Sequence, residues 1–113
     1  MEVLLLRHAP TDWNREGRIQ GRTDVPLSVE GQAMAAAWRL PDAAKDWACL
    51  SSPLGRALET ARAMGLAPSP DAAFVEMDWG RLEGRRLEEI RAEGGAAFAS
   101  DEARGLDFRP QGG

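Results

Sequence analysis

Apolar residues fall in short runs separated by long polar stretches, and the first run sets the pattern. Val3-Leu4-Leu5-Leu6 leads straight into Arg7 and His8, and Pro10 interrupts regular structure soon after. An unbroken apolar run of this kind predicts a strand buried on both faces. Trp47-Ala48-Cys49-Leu50 predicts a second strand, and Ala73-Phe74-Val75 a third that leads into Glu76. Helical patterns lie between them. Ser28 reads as an N-cap with Glu30 in the first turn, and Val29, Ala33, Ala36, Ala37 and Leu40 form a stripe that Pro41 ends. Ser52 reads as another cap with Pro53 at the first helical position, followed by Leu54, Leu58 and Ala61 on one face up to Gly65. Leu87 to Glu93 predicts a third helix, closed by Gly94-Gly95, with Phe98 packing back onto it. From Ser100 onward the pattern fades.

The order strand, loop, helix, strand, helix, strand, helix predicts an α/β fold: three αβα layers around a mainly parallel sheet. Residues 9–27 show neither helical nor strand period. An irregular segment this long is either a surface excursion or a functional loop. Arg15, Arg18 and Arg22 within it, with Arg7 just before, favour a loop that covers a substrate.

Composition narrows the classes. A chain of 113 residues that is 43% hydrophobic suits one domain, though a modest one for an α/β enzyme. The net charge of −4 argues against a nucleic-acid surface. The single cysteine, Cys49, excludes an internal disulfide and, with one histidine, cannot build a zinc site. There is no signal-peptide pattern and no apolar run of membrane-spanning length, so no membrane partner and a cytoplasmic location are expected.

His8 is the one histidine, placed where the first strand should end. A lone histidine there is often a structural residue, but ligands of open α/β sheets bind outside the carboxyl ends of the strands. Arg7, Thr11, Asn14 and Arg18 supply cationic and neutral donors suited to phosphate. Parallel strands would bring three groups to one rim: His8 after the first, Arg56 in the helix after the second, Glu76 after the third. Singly each is weak, since Arg56 could pair on the surface with Glu59 or Glu30, and Glu76 could be a solvated turn residue. Together they suit phosphoryl transfer, with an imidazole attacking phosphorus, a guanidinium binding its oxygens and a carboxylic acid protonating the leaving group. No metal or other cofactor is required where arginines neutralise the charge, although carboxylate-held Mg²⁺ stays open.

These residues resemble the histidine phosphatase superfamily, which includes the cofactor-dependent phosphoglycerate mutases and the alpha-ribazole and broad-specificity phosphatases. Leu4-Leu5-Leu6-Arg7-His8-Ala9-Pro10-Thr11-Asp12-Trp13-Asn14 is similar to the family's opening strand and Arg-His-Gly turn. Gly17 to Leu27 resembles its substrate loop, Ser51 to Ala61 its second phosphate-binding segment, and Val75 to Gly84 the segment with its general acid. The resemblance implies a phosphoglycerate mutase-like fold, with His8 as the phosphorylated nucleophile and Glu76 as the proton donor. It also implies that Arg7, Asn14 and Arg56 hold the phosphoryl group, with Thr11, Gln20 and Gly21 as further substrate contacts.

The acid segment is more similar to the phosphatase branch than to the mutases. Ala9 and Pro10 stand where the family has glycine and an acidic residue. The family also has a second histidine on a later strand, which this sequence lacks. The resemblance therefore implies that residues 1–113 are the N-terminal part of the domain, C-terminally truncated, as either a fragment of a longer protein or a naturally short member. Loss of such a donor costs on the order of 10²–10³ in rate. The expected activity is hydrolysis of a small phosphorylated substrate through a phosphohistidine, impaired in the short chain. A non-catalytic phosphate-binding or interaction protein and a phosphoglycerate mutase are the alternatives. An incomplete sheet would leave apolar surface for a homodimer.

Overall fold

The first helix is one that the apolar pattern does not announce. In a computed structural model, which describes residues 1–113, α1 spans Asp12–Glu16 inside the stretch expected to be irregular. It has no buried residue and hence no apolar stripe, so periodicity could not reveal it. Gly17, at φ +71°, closes it: Gly17 N donates to Asn14 O (3.2 Å) and Arg18 N to Trp13 O (2.9 Å). The chain divides into two units, the boundary falling within α1. One comprises Met1–Asp12 with Asp24–Val75, the other Trp13–Thr23 with Glu76–Gly113.

In the first unit, α2 (Val29–Ala37) starts where its cap predicts, with Ser28 Oγ accepting from Gly31 N at 2.9 Å. It ends at Ala37, before Pro41, because Trp38 is already extended. The predicted stripe faces the wrong way. Gly31 and Ala35 are buried, whereas Val29, Ala33, Ala36 and Ala37 are exposed. Alanine on every side makes the apolar face ambiguous, and the fit of Gly31 against Pro10 decides it. Ala35 joins Ala9 and Leu27 in a small core, with Trp38 and Ala63 packed against it.

The sheet is smaller than expected. Strand β1 (Leu50–Ser51) pairs in parallel with β2 (Ser69–Pro70), in the register Leu50 to Ser69 and Ser51 to Pro70. Between them runs α3 (Gly55–Ala63), packed against α2 and β1. Of the predicted second strand only Leu50 is in the ladder. The predicted third strand is displaced: Ala72–Phe74 is a 3-10 turn, started by Asp71 accepting from Ala73 N at 2.9 Å. Val3–Leu6 belongs to no ladder, and all four side chains are exposed, Leu5 at 86%. The expected double burial is therefore absent, since the run joins no sheet and neither of its faces is covered. Helix α3 begins at Gly55, three residues past the predicted cap Ser52, and Gly55 N donates instead to Asp24 Oδ1 at 2.9 Å. Gly65, at φ +82°, ends it as predicted, with Leu66 N bonded to Ala61 O and Gly65 N to Arg62 O, both 2.9 Å.

In the second unit, residues 17–19 lie beside 84–87. Ile19 N donates to Arg85 O (2.9 Å), Gly84 N to Ile19 O (2.7 Å) and Leu87 N to Gly17 O (3.0 Å). Helix α4 (Leu87–Glu102) is broken at Gly95 (φ 52°, ψ −136°), matching the predicted glycine stop, and a second helical segment then continues to Glu102. Phe98 lies against Gly94 as expected and meets Phe108 edge-on at 6.1 Å; Trp79 meets Phe108 at 5.3 Å. These rings and Ile90 are this unit's apolar centre. No helix is long and apolar enough to cross a membrane.

Candidate active site

Polar residues, not the expected leucines, form the buried face of α3. Arg56 is 3% exposed and Thr60 4%, alongside Ala61, while Leu54 and Leu58 are only half-buried. The spacing i, i+4 puts Arg56 and Thr60 on one face. Thr60 Oγ1 donates to Arg56 O at 2.7 Å and accepts from Ala9 N at 2.9 Å. Arg56 is thus a buried and not a surface arginine, and the turn after His8 is hydrogen-bonded to the helix that carries it.

The same turn fixes the imidazole. His8 Nδ1 lies 2.7 Å from Ala9 O. A carbonyl only accepts, so Nδ1 carries a proton, and in the neutral ring the lone pair is on Nε2. Ala9 is fully buried in the first unit's core, so a methyl group fits where the family pattern has glycine. Pro10 O accepts from Ser28 N at 3.0 Å and from Ser28 Oγ at 3.2 Å. Thr11 is fully buried and bridges antiparallel to Leu27, whose N–H donates to Glu59 Oε2 at 3.0 Å. Arg7 is exposed. The first unit thus holds Arg7, His8, Thr11 and Arg56.

Asn14, Gln20, Gly21 and Glu76 belong to the second unit. Asn14 lies in α1; Gln20 is buried, and its carbonyl accepts from Thr23 N at 3.1 Å. Glu83 organises this loop, taking hydrogen bonds from Arg22 N, from Thr23 N (3.3 Å) and from Thr23 Oγ1 (3.1 Å). Gly21 sits at φ +56°, a backbone conformation that favours glycine, and a Cβ there would push the Glu83 carboxylate aside. Arg18 is committed structurally, bonded to Glu16 and to Gly84 O (2.7 Å). The bond from Arg18 holds the Glu16 carboxyl below its ordinary value. Glu76 follows a 3-10 turn and not a strand, and it is exposed. Its Oε1 accepts from Met77 N at 2.8 Å, and its carbonyl from Arg22 Nε at 3.0 Å. No cluster of three or more metal-ligating side chains is formed.

Sequence reasoning missed Thr60, Asp24 and Glu83. Thr60 had a signal in its four-residue spacing from Arg56. Asp24 and Glu83 act across 31 and about 60 residues, and nothing local marks them.

A parallel α/β unit with an oriented histidine beside a helix bearing a buried arginine has the donor set of a phosphate-handling class of protein. Residues 3–113 match the histidine phosphatase superfamily (branch 1), and the chain belongs to that superfamily, whose members are phosphatases and mutases working through a phosphohistidine. Its fold is phosphoglycerate mutase-like. It is 36% identical over 100 residues to the "Probable phosphoglycerate mutase GpmB" of Klebsiella pneumoniae subsp. pneumoniae, matching 82% of this chain and 46% of that protein. The crystal structure of phosphoglycerate mutase from Thermus thermophilus superposes with a TM-score of 0.78 at 38% identity, over 95% of this chain and 59% of that one. A mycobacterial glucosyl-3-phosphoglycerate phosphatase gives 0.71 at 29% identity, over 94% and 52%. The chain spans about half the length of the curated relatives it matches.

Proposed function

We propose that the chain carries the phosphohistidine chemistry of a phosphomonoester hydrolase acting on a small phosphorylated substrate. His8 Nε2 attacks phosphorus, a P–N bond forms, and the bond from phosphorus to the alkoxide oxygen breaks. Glu76, exposed at the rim of its unit, gives its proton to that oxygen. Arg7, Arg56 and Asn14 bind the phosphoryl oxygens, with Thr11, Gln20 and Gly21 as further contacts. Water then attacks the phosphohistidine, Glu76 takes the water's proton, and phosphate leaves with the imidazole restored.

One observation carries this reading: the 2.7 Å contact from His8 Nδ1 to Ala9 O keeps the lone pair on Nε2 and leaves a donor to stabilise the charged phospho-imidazole. The test is release of p-nitrophenol from p-nitrophenyl phosphate together with trapping of acid-labile phosphate on the protein. Both signals are expected, and both should vanish in His8→Ala. Phosphate binding with neither signal would support a non-catalytic binder instead. The names of the Klebsiella and Thermus relatives favour a second reading, a phosphoglycerate mutase; isomerisation of 3-phosphoglycerate faster than its hydrolysis would select it.

A further inference from the structure

We propose that Thr60 is a positioning residue for His8, setting the imidazole tautomer and aim through the backbone of Ala9. The consequence for rate rests on the phosphohistidine reading; the consequence for the tautomer does not.

A hydroxyl has one proton and two lone pairs. The Thr60 proton is committed to Arg56 O, four residues back along α3, so toward Ala9 N–H the oxygen can only accept. Both partners are buried, where a polar chain of this kind is strengthened and water is no substitute. Ala9 is held at its N–H by Thr60, and its own carbonyl receives the His8 Nδ1 proton. Rotation of the Ala9 backbone would therefore move the group that selects the tautomer. On the far side, Pro10 O is bonded to Ser28. With Pro10 held by α2, loss of the Thr60 bond leaves Ala9 as the residue whose backbone can turn. The series Arg56 O, Thr60 Oγ1, Ala9, His8 Nδ1 thus runs unbroken from the helix of the buried arginine to the nucleophile's ring.

Histidine occurs once in the sequence, so its ring gives a single set of imidazole NMR signals. In the wild type those signals should report the Nδ1–H tautomer. Thr60→Val keeps the shape but loses both hydrogen bonds. It should keep a folded amide spectrum while moving the ring toward a mixture of tautomers. Phosphorylation of His8 by p-nitrophenyl phosphate should slow by about 10²-fold, the scale of a small misplacement of a reacting group, with KM little changed. Thr60→Ser should restore tautomer and rate. A folded Thr60→Val with wild-type tautomer and rate overturns the proposal. If the wild type forms no phosphohistidine yet the tautomer follows residue 60, the hydrolase reading fails and the positioning role stands. If Thr60→Val does not fold, the unmodified protein decides: Ala9 N–H exchange as slow as that of the α3 amides supports the bond, and exchange as fast as that of Leu5 overturns it.

Discussion

Gly31 sits so close to the Pro10 carbonyl that a side chain on it would overlap the oxygen. This contact lets α2 press its first turn onto the residues following His8, where Ser28 also bonds Pro10 O. Gly31→Ala should therefore destabilise the fold by about 1–3 kcal/mol, as overpacking does, and depress His8 phosphorylation with it. Denaturant unfolding and a phosphohistidine assay on the same preparation check both. Ala33→Gly, on the exposed side of α2, is the control and should lose no more than the helix-propensity difference of about 1 kcal/mol.

Asp24 caps α3 from 31 residues away through Gly55 N. Asp24→Ala should cost about 1 kcal/mol, the usual value of a lost cap. Arg56 is the second residue of that helix, so phosphate affinity should fall as well. Calorimetric titration with inorganic phosphate measures it; Asp24→Asn, which keeps the accepting oxygen, should recover most of the loss.

Glu83 and Gly21 hold the 20–23 loop together. Either Glu83→Ala or Gly21→Ala should loosen that loop, raising the rate of limited trypsin cleavage after Arg22 several-fold. Far-UV circular dichroism should hardly change, because no helix depends on these contacts.

Arg91 and Glu102 form a 2.8 Å ion pair across the break at Gly95, folding the two segments of α4 together. The hydrogen bond to Arg91 holds the Glu102 carboxyl below its ordinary value of 4.5. A lowered folded-state value means that the stabilisation is present at neutral pH and is lost as acid protonates Glu102. Amide protection in residues 96–102, taken relative to the free-peptide exchange rate at the same pH, should fall below about pH 4.5, where the free carboxyl begins to titrate. Glu102→Gln should make that protection independent of pH in the same range. The pair is exposed, so salt should weaken it too.

Elements with local causes were legible in the sequence. Ser28 caps α2 through its own side chain, Gly65 ends α3, and the Gly94-Gly95 pair stops a helix so that Phe98 can return. What depended on distant partners was not. Ser69–Pro70 has neither apolar alternation nor a β-branched residue, and it is a strand only because β1 lies beside it. The four apolar residues before Arg7 carry a buried-strand pattern, yet burial needs neighbouring strands as well as pattern. His8 and Arg56 stood out by residue type. Thr60, which connects their backbones, looks like any polar helix residue until its hydroxyl has two partners.

Pro70 gives the small sheet a direction. The N–H groups of Ser69 and Asp71 point to β1, bonded to Cys49 O and Ser51 O at 2.9 and 2.8 Å, so the position facing the other way belongs to a residue with no N–H. The outer margin of β2 is thereby blunted against recruiting a neighbour, while β1 keeps its donors on the opposite margin. The Leu50 side, with its N–H intact, is the margin better fitted to take a further strand.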